Sequence, residues 1–333
     1  MVNVSRNNSA ASALIPQRHE RRKIRLPPII MRAGKRAEFA ANEFLGGKIS
    51  NHHTERAYTR AIMRFLGWAE QQGLELIDIE PWHVGDYMKT VLAEKSIPTR
   101  KQNLAALRHF FDNLVVRHAM ILNPALSVRG DSYTVLEGKR SAITVAQARV
   151  LLGSIKVAGN LVGIRDRAIL SVLAYTAARA GAVASLKRGD LYQNGEQWTL
   201  HFNEKGNKSR EIPVRHDLQQ LLFAYLDAAG LRDAKKNTPL FQSFIRKEKR
   251  LSGKQIHSND VCRMMKRRLK DAHLPPELSP HSFRVTVITD LLTQGVPLED
   301  AQRLAGHADP RTTRLYDRRN RKITRNLVER ISI

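Results

Sequence analysis

From residue 38 to about 125 the apolar positions recur at helical spacing. Tyr58, Ile62, Phe65, Leu66 and Ala69 form one stripe that stops at Gly73. Val84, Tyr87, Met88, Val91 and Leu92 form a second after Pro81, and Leu104, Leu107, Phe110, Phe111, Leu114 and Val115 a third that begins near Thr99. The Asn123-Pro124 step closes the run, because a proline pushes the residue before it out of the helical region. The pattern predicts an all-helical domain over residues 37–126. Residues 1–36 show no sustained period, which predicts a flexible arm, and the polar stretch 127–140 predicts a linker.

The second half, 141–333, reads differently. Ile164 to Tyr175 is apolar nearly all round, as in a buried helix. Gln197 to Phe202 alternates at period two, and Glu211 to Val214 can pair with it across the turn Lys205-Gly206-Asn207-Lys208. Helical spacing returns over Leu218–Ala229 and Asn259–His273, and again after Ser279-Pro280, a cap followed by a proline at the first helical position. The expected fold is mostly α with one small antiparallel β-sheet, in two domains.

Charge narrows the partner. The 333 residues carry 56 Lys plus Arg against 31 Asp plus Glu, a formal net charge of +25, which favours a polyanion. The basic side chains concentrate in the arm, on the polar helix faces at Arg56, Arg60, Arg100, Lys101 and Arg108, and on the Asn259–His273 helix at Arg263, Lys266, Arg267 and Lys270. With Lys208 of the hairpin, these are candidate nucleic-acid contacts; those of the arm and of the first domain could instead be solvated, and the Asn259–His273 helix is the best candidate for a DNA groove. No stretch approaches the roughly 18 apolar residues of a membrane span, and no secretory signal stands at the N-terminus, so a cytoplasmic protein without membrane contact is expected. A single cysteine, Cys262, excludes an internal disulfide and reads as a small buried hydrophobe.

The chemistry sits near the C-terminus, in the order His281-Ser-Phe-Arg284, Gly306-His307 and Thr312-Thr313-Arg-Leu-Tyr316-Asp317. Arginine forks match the paired oxygens of a phosphate and stay charged. Histidine can move a proton near neutrality. A tyrosine hydroxyl can hold a phosphate as a covalent ester, so that a strand is broken without losing the energy of its bond. His281 and Arg284 would share one face at a helix start, a favourable place for an anion. Asp309-Pro310 predicts one more helix, carrying Tyr316 about two turns on.

These motifs, with the basic hairpin upstream, resemble the tyrosine recombinases of the phage-integrase and Xer family along most of the chain. On that resemblance the helical domain is a core-binding domain and 141–333 a mixed α+β catalytic domain. Thr176-Ala177-Ala178-Arg179-Ala180-Gly181-Ala182 stands where the family has Thr-Gly-x-Arg-x-Gly-Glu, which makes Arg179 the first catalytic arginine. Glu204-Lys205-Gly206-Asn207-Lys208 matches the hairpin that carries the family's lysine and points to Lys205, with Lys208 as the alternative. His281, Arg284, His307 and Tyr316 complete the set. Two positions depart from the family: Ala177 replaces a glycine, and Ala182 an acidic residue that would support its neighbours through hydrogen bonds.

The resemblance implies attack by Tyr316 to give a 3′-phosphotyrosine, with no metal or cofactor. His281 would take the phenol proton and Lys205 would protonate the leaving 5′-oxygen. Arg179, Arg284 and His307 would stabilise the transition state. It also implies a specific double-stranded DNA site, a homo-tetramer on DNA and a C-terminal exchange helix at about 320–333, marked by Ile323, Leu327, Val328, Ile331 and Ile333. The expected role is a site-specific recombinase or integrase of a mobile element. The alternatives are a noncatalytic or weakly active DNA-binding protein with the same fold, to which Ala182 points, and a type IB topoisomerase.

Overall fold

The computed structural model describes residues 25–132, 142–204, 208–245, 247–317 and 329. The chain divides into two compact units, Met1–Thr134 and Val135–Ile333.

In the first unit α1 (Pro28–Arg32) and α2 (Lys35–Glu43) run into a π-turn at Phe44–Lys48, followed by α3 (His52–Gln71), α4 (Pro81–Thr90) and α5 (Ile97–Val116). Asn51 caps α3 by accepting from the N–H groups of His53 and Thr54, and Pro81 opens α4 at a position whose N–H would be orphaned anyway. The apolar stripes meet in a core around Phe65, whose ring stands edge-on to Tyr87 at 5.0 Å and to Phe111 at 5.8 Å. The buried Asn113 ties α5 to α2 by donating to the Ala40 carbonyl at 2.9 Å.

The basic arm is shorter than the sequence pattern predicts. Residues 28–36 lie in α1 and the start of α2, and Ile29 and Ile30 are fully buried. One helical turn is too short to show a period, yet it buries two isoleucines. Glu70 holds it by accepting from the Ile29 N–H at 2.9 Å, and Arg32 pairs with Glu75 at 2.8 Å. Residues 1–24 lie outside the described set.

The second unit is built on α7 (Leu161–Thr176), buried along both sides and packed against α9 (His216–Ala228) and α11 (Pro280–Thr293). Helix α6 (Val145–Gly153) precedes it and α8 (Ala180–Ala184) follows. Strands β1 (Leu191–Asn194), β2 (Gln197–Glu204) and β3 (Lys208–Pro213) form an antiparallel sheet in sequence order, with Phe202 opposite Arg210. A second ribbon, β4 (Gln242–Ile245) with β5 (Arg250–Gln255), was not anticipated by the pattern, which contains too few alternating apolar residues there. Helices α10 (Ser258–Asp271), α12 (Leu298–Ala305) and α13 (Pro310–Arg314) complete the unit. The mostly α fold with small antiparallel sheets is the expected one. Cys262 departs from its reading: it is exposed on α10.

Candidate active site

Five of the six candidate catalytic residues converge in the second unit, from three stretches of chain. Helix α7 ends in a left-handed turn at Ala177 (φ 50°, ψ 22°), which reverses the chain so that Arg179 becomes the extended N-cap of α8. An alanine there costs about 1–2 kcal/mol relative to a right-handed residue. The fold holds it because Ala177 is fully buried and its carbonyl accepts from Nη1 of Arg284 at 2.6 Å. The turn that presents one arginine therefore also anchors the other. Thr176 stitches the helix end, donating to the Val172 carbonyl at 2.6 Å and accepting from the Ala178 N–H.

Arg284 and His281 share the first turns of α11, and Arg284 is almost wholly buried. Nε2 of His281 lies 3.3 Å from the Tyr316 hydroxyl. His307 follows Gly306, whose left-handed φ of 63° ends α12, and its backbone is fixed at both ends through Gln302. Its ring lies nearly parallel to that of Tyr316, with centroids 6.0 Å apart and an interplanar angle of 18°. Its Nδ1 is 2.9 Å from Oγ1 of Thr313, which is fully buried.

Burial, reinforced by the neighbouring Arg284 and Arg179, by His281 and by Arg210, pushes the His307 pKa down to about 3. His307 is thus a neutral imidazole at working pH, able to donate one N–H without adding charge. Tyr316 is buried against Val285, Ile288, Leu292, Ala301 and Ala305. It does not ride on the predicted helix: α13 ends at Arg314, and Tyr316 sits in the following turn with its N–H on the Thr313 carbonyl at 3.0 Å. Asp309 does cap that helix, as the sequence predicts, but the helix runs for little more than one turn.

Two residues to which the sequence reading gives no role belong to the site. Thr313 orients His307. Arg210 sits across from Phe202 on β3, with its guanidinium 5.4 Å from that ring, and is one of the charges acting on His307. Its signal was readable: Arg210 shares the strand face of Ile212, where an apolar residue is expected. A cleft of about 760 Å³, lined by Arg210, Ile212, Gln302, Leu304 and His307 among others, lies between β3 and α12.

Lys205 lies outside the described residues. Lys208 opens β3 opposite Glu204. Ala182 is buried in α8, so the position where the family has a carboxylate is part of the apolar core.

The candidate DNA contacts separate into two groups. Arg56 and Arg60 are exposed one turn apart on α3, and Lys101 is exposed on α5. Arg100 instead pairs with Asp131 at 2.9 Å, and Arg108 donates to the carbonyls of Ala125 and Val128 at 3.2 and 2.5 Å. These two fasten the end of the helical unit. On α10 the exposed Arg263, Lys266, Arg267 and Lys270 occupy one arc, although Arg263 pairs with Asp260, Lys266 reaches the Pro276 carbonyl and Arg267 is bound to Asp166.

The site combines a phenol beside an imidazole with two arginines and a neutral histidine, an arrangement able to hold a tetrahedral anion while the phenol oxygen attacks it. Among the described residues no group of three His, Cys, Asp or Glu side chains could hold a metal ion.

The chain is similar to known proteins. Residues 142–322 match the phage integrase family, and residues 45–118 the N-terminal SAM-like domain of phage integrases. Tyrosine recombinase XerC of Thermodesulfovibrio yellowstonii is 27% identical over 270 residues, covering 81% of this chain and 86% of that protein. In a post-cleavage crystal structure, the XerH site-specific recombinase bound to a palindromic difH substrate superposes with a TM-score of 0.66 at 19% identity, covering 79% of this chain and 75% of XerH. A lambda integrase tetramer bound to a Holliday junction superposes with a TM-score of 0.61 at 16% identity, covering 89% and 79% of the two chains. These two likenesses show the fold, while the family match spans every candidate residue from Arg179 to Tyr316. The chain belongs to the phage integrase family, the tyrosine recombinases.

Proposed function

We propose that this chain is a site-specific DNA recombinase that cleaves and rejoins strands through Tyr316. The observation that carries the reading is the Tyr316 hydroxyl 3.3 Å from His281 Nε2, beside the stacked, neutral His307. The Tyr316 oxygen attacks a backbone phosphorus as its proton passes to His281. Arg179, Arg284 and His307 Nε2 hold the nonbridging oxygens, on which charge grows. The P–O5′ bond breaks, Lys205 supplies the proton to the departing 5′-oxygen, and a 3′-phosphotyrosyl ester remains. Attack by the 5′-hydroxyl of another strand reverses each step and restores Tyr316. The ester conserves the bond energy, so neither nucleotide nor metal enters the reaction.

Double-stranded DNA with a specific site is the partner, which the net charge of +25 and the exposed basic arcs of α3 and α10 support. Exchange requires several protomers at one junction, and a homo-tetramer is the assembly proposed. The apolar stripe Ile323–Ile333, outside the described residues, is the candidate link between neighbours. A mobile element is the proposed setting and the cytoplasm the proposed location.

One observation favours a second reading. Ala182 leaves the site without the family's carboxylate, as a DNA-binding protein that has lost or weakened cleavage would. A supercoiled plasmid carrying two copies of the selected binding site separates the possibilities. Recombinant circles support the proposal, relaxation without exchange indicates a type IB topoisomerase, and binding with neither indicates the noncatalytic protein.

A further inference from the structure

Outside the active site, a cluster of charges surrounds Asp166, a fully buried residue on α7. Its Oδ1 accepts from Nε and Nη2 of Arg165 at 3.2 and 2.8 Å. Its Oδ2 accepts from Nη2 of Arg267 at 2.8 Å, and from Nε and Nη2 of Arg268 at 3.1 and 2.7 Å. One carboxylate thus serves three arginines. Arg165 is nearly buried and spends its remaining Nη1 on the Gln242 carbonyl at 2.9 Å; the Arg268 side chain is only 13% exposed. Those two join α7, α10 and β4. Arg267 differs: its side chain is 42% exposed, and Nη2 makes its one hydrogen bond within the described residues. It borders a cleft of about 600 Å³ together with Arg263, Asp260 and Ser243.

We propose that Asp166 is a positioning residue for DNA recognition, holding the Arg267 guanidinium on the outer arc of α10 as a pre-aimed donor for paired acceptors on DNA. The inference rests on reading α10 as a DNA-facing helix. An unrestrained arginine must give up several rotamers when it binds. A guanidinium anchored through one Nη2 N–H to a buried carboxylate has already done so, and its second Nη2 N–H still completes one edge of the fork, with Nε or Nη1, for the ligand. The partner chemistry is a pair of acceptors in the plane of the fork: two phosphate oxygens, or O6 and N7 of a guanine. Asp166 stands on the helix whose C-terminal turn presents Arg179, so the anchor also ties recognition to the catalytic arginine through one rigid element.

The test uses the full chain, a duplex it selects from a randomised pool and an unselected duplex of equal length. Arg267→Ala and Arg267→Lys should each weaken binding about tenfold or more, since lysine keeps the charge but not the fork. Asp166→Asn should weaken it comparably, and adding Arg267→Ala to Asp166→Asn should cause no further loss, because the second change removes what the first has already misplaced. Arg263→Ala should add to Asp166→Asn. A loss equal on both duplexes, with a salt slope shallower by about 1, identifies phosphate as the acceptor; a loss confined to the selected duplex identifies guanine. Wild-type binding by Arg267→Lys, or additive losses for Asp166 and Arg267, overturns the proposal. Should Asp166→Asn not fold, Arg267→Lys still decides, because Arg267 is half-exposed and its replacement leaves Arg165 and Arg268 on the carboxylate. If Arg263, Arg267 and Lys270 can all be replaced without effect, α10 is not the DNA face, and this proposal falls with it while the active-site reading stands.

Discussion

Replacing Thr313 by valine removes one hydroxyl and keeps the shape of a fully buried side chain. A neutral imidazole carries one N–H, and His307 can offer it to a phosphate oxygen from Nε2 only if Nδ1 is an acceptor. The Thr313 hydroxyl, 2.9 Å from Nδ1, must then be the donor that fixes this tautomer and the ring's orientation. Thr313→Val leaves a buried acceptor without its partner, at a cost of about 1–3 kcal/mol. For a domain of this size that lowers Tm by about 2–12 °C. The catalytic loss should be larger in proportion, because a transition-state donor released from its position costs about 10²-fold. The assay is single-turnover formation of the covalent complex on a nicked duplex, run well below Tm so that all variants are folded. Thr313→Ser should recover most of the rate. A folded Thr313→Val that cleaves at the wild-type rate, or a serine variant as slow as the valine one, would refute the reasoning.

His307 should show no titration across neutral pH by NMR, since its folded-state pKa is about 3 against an ordinary 6.5. Below 6.5 the unfolded chain takes up a proton that the folded chain refuses, so this contribution to stability is complete above 6.5 and is lost as pH falls towards 3; an imidazole midpoint near 6.5 in the folded protein would contradict it. Arg210→Gln removes one of the charges acting on His307, so the same titration should move upward while cleavage slows by about tenfold, and an unchanged rate would place Arg210 outside the chemistry. At Ala177, valine should destabilise the second unit by about 1–3 kcal/mol, because a β-branched residue does not fit the left-handed region. Glycine there should fall within about 1 kcal/mol of wild type, since relief of strain is offset by greater backbone freedom and a lost buried methyl; calorimetry on both variants checks the pair.

The helical unit is legible in the sequence because each long helix buries one stripe, with Gly73 just after the end of α3 and Pro81 at the start of α4. Helix α1 is not, because a single turn with two isoleucines has no period to detect. The β2–β3 hairpin shows its alternation, whereas the β4–β5 ribbon is short and its burial pattern does not alternate cleanly. In the site, residue identities are readable from motif order, but Tyr316 is misplaced by the expectation of a longer α13. The partners of Arg100 and Arg108 are not legible for a related reason: a basic residue on a polar helix face looks the same whether it meets solvent, DNA or, as here, an aspartate and two carbonyls brought in by the chain beyond the helix. Asp166 is the converse case. Its three arginine partners, one adjacent and two about a hundred residues away, give an acidic residue in a buried helix a purpose that no local pattern conveys.

The most direct measurement is covalent trapping on DNA. The protein is incubated with a nicked duplex of its selected site, denatured and digested with nuclease, and its peptides are weighed. The account predicts a nucleotide adduct on the peptide containing Tyr316, absent from Tyr316→Phe even though that variant still binds the duplex. Tight, sequence-specific binding with no adduct on Tyr316, in the wild type and in Ala182→Glu alike, would contradict it.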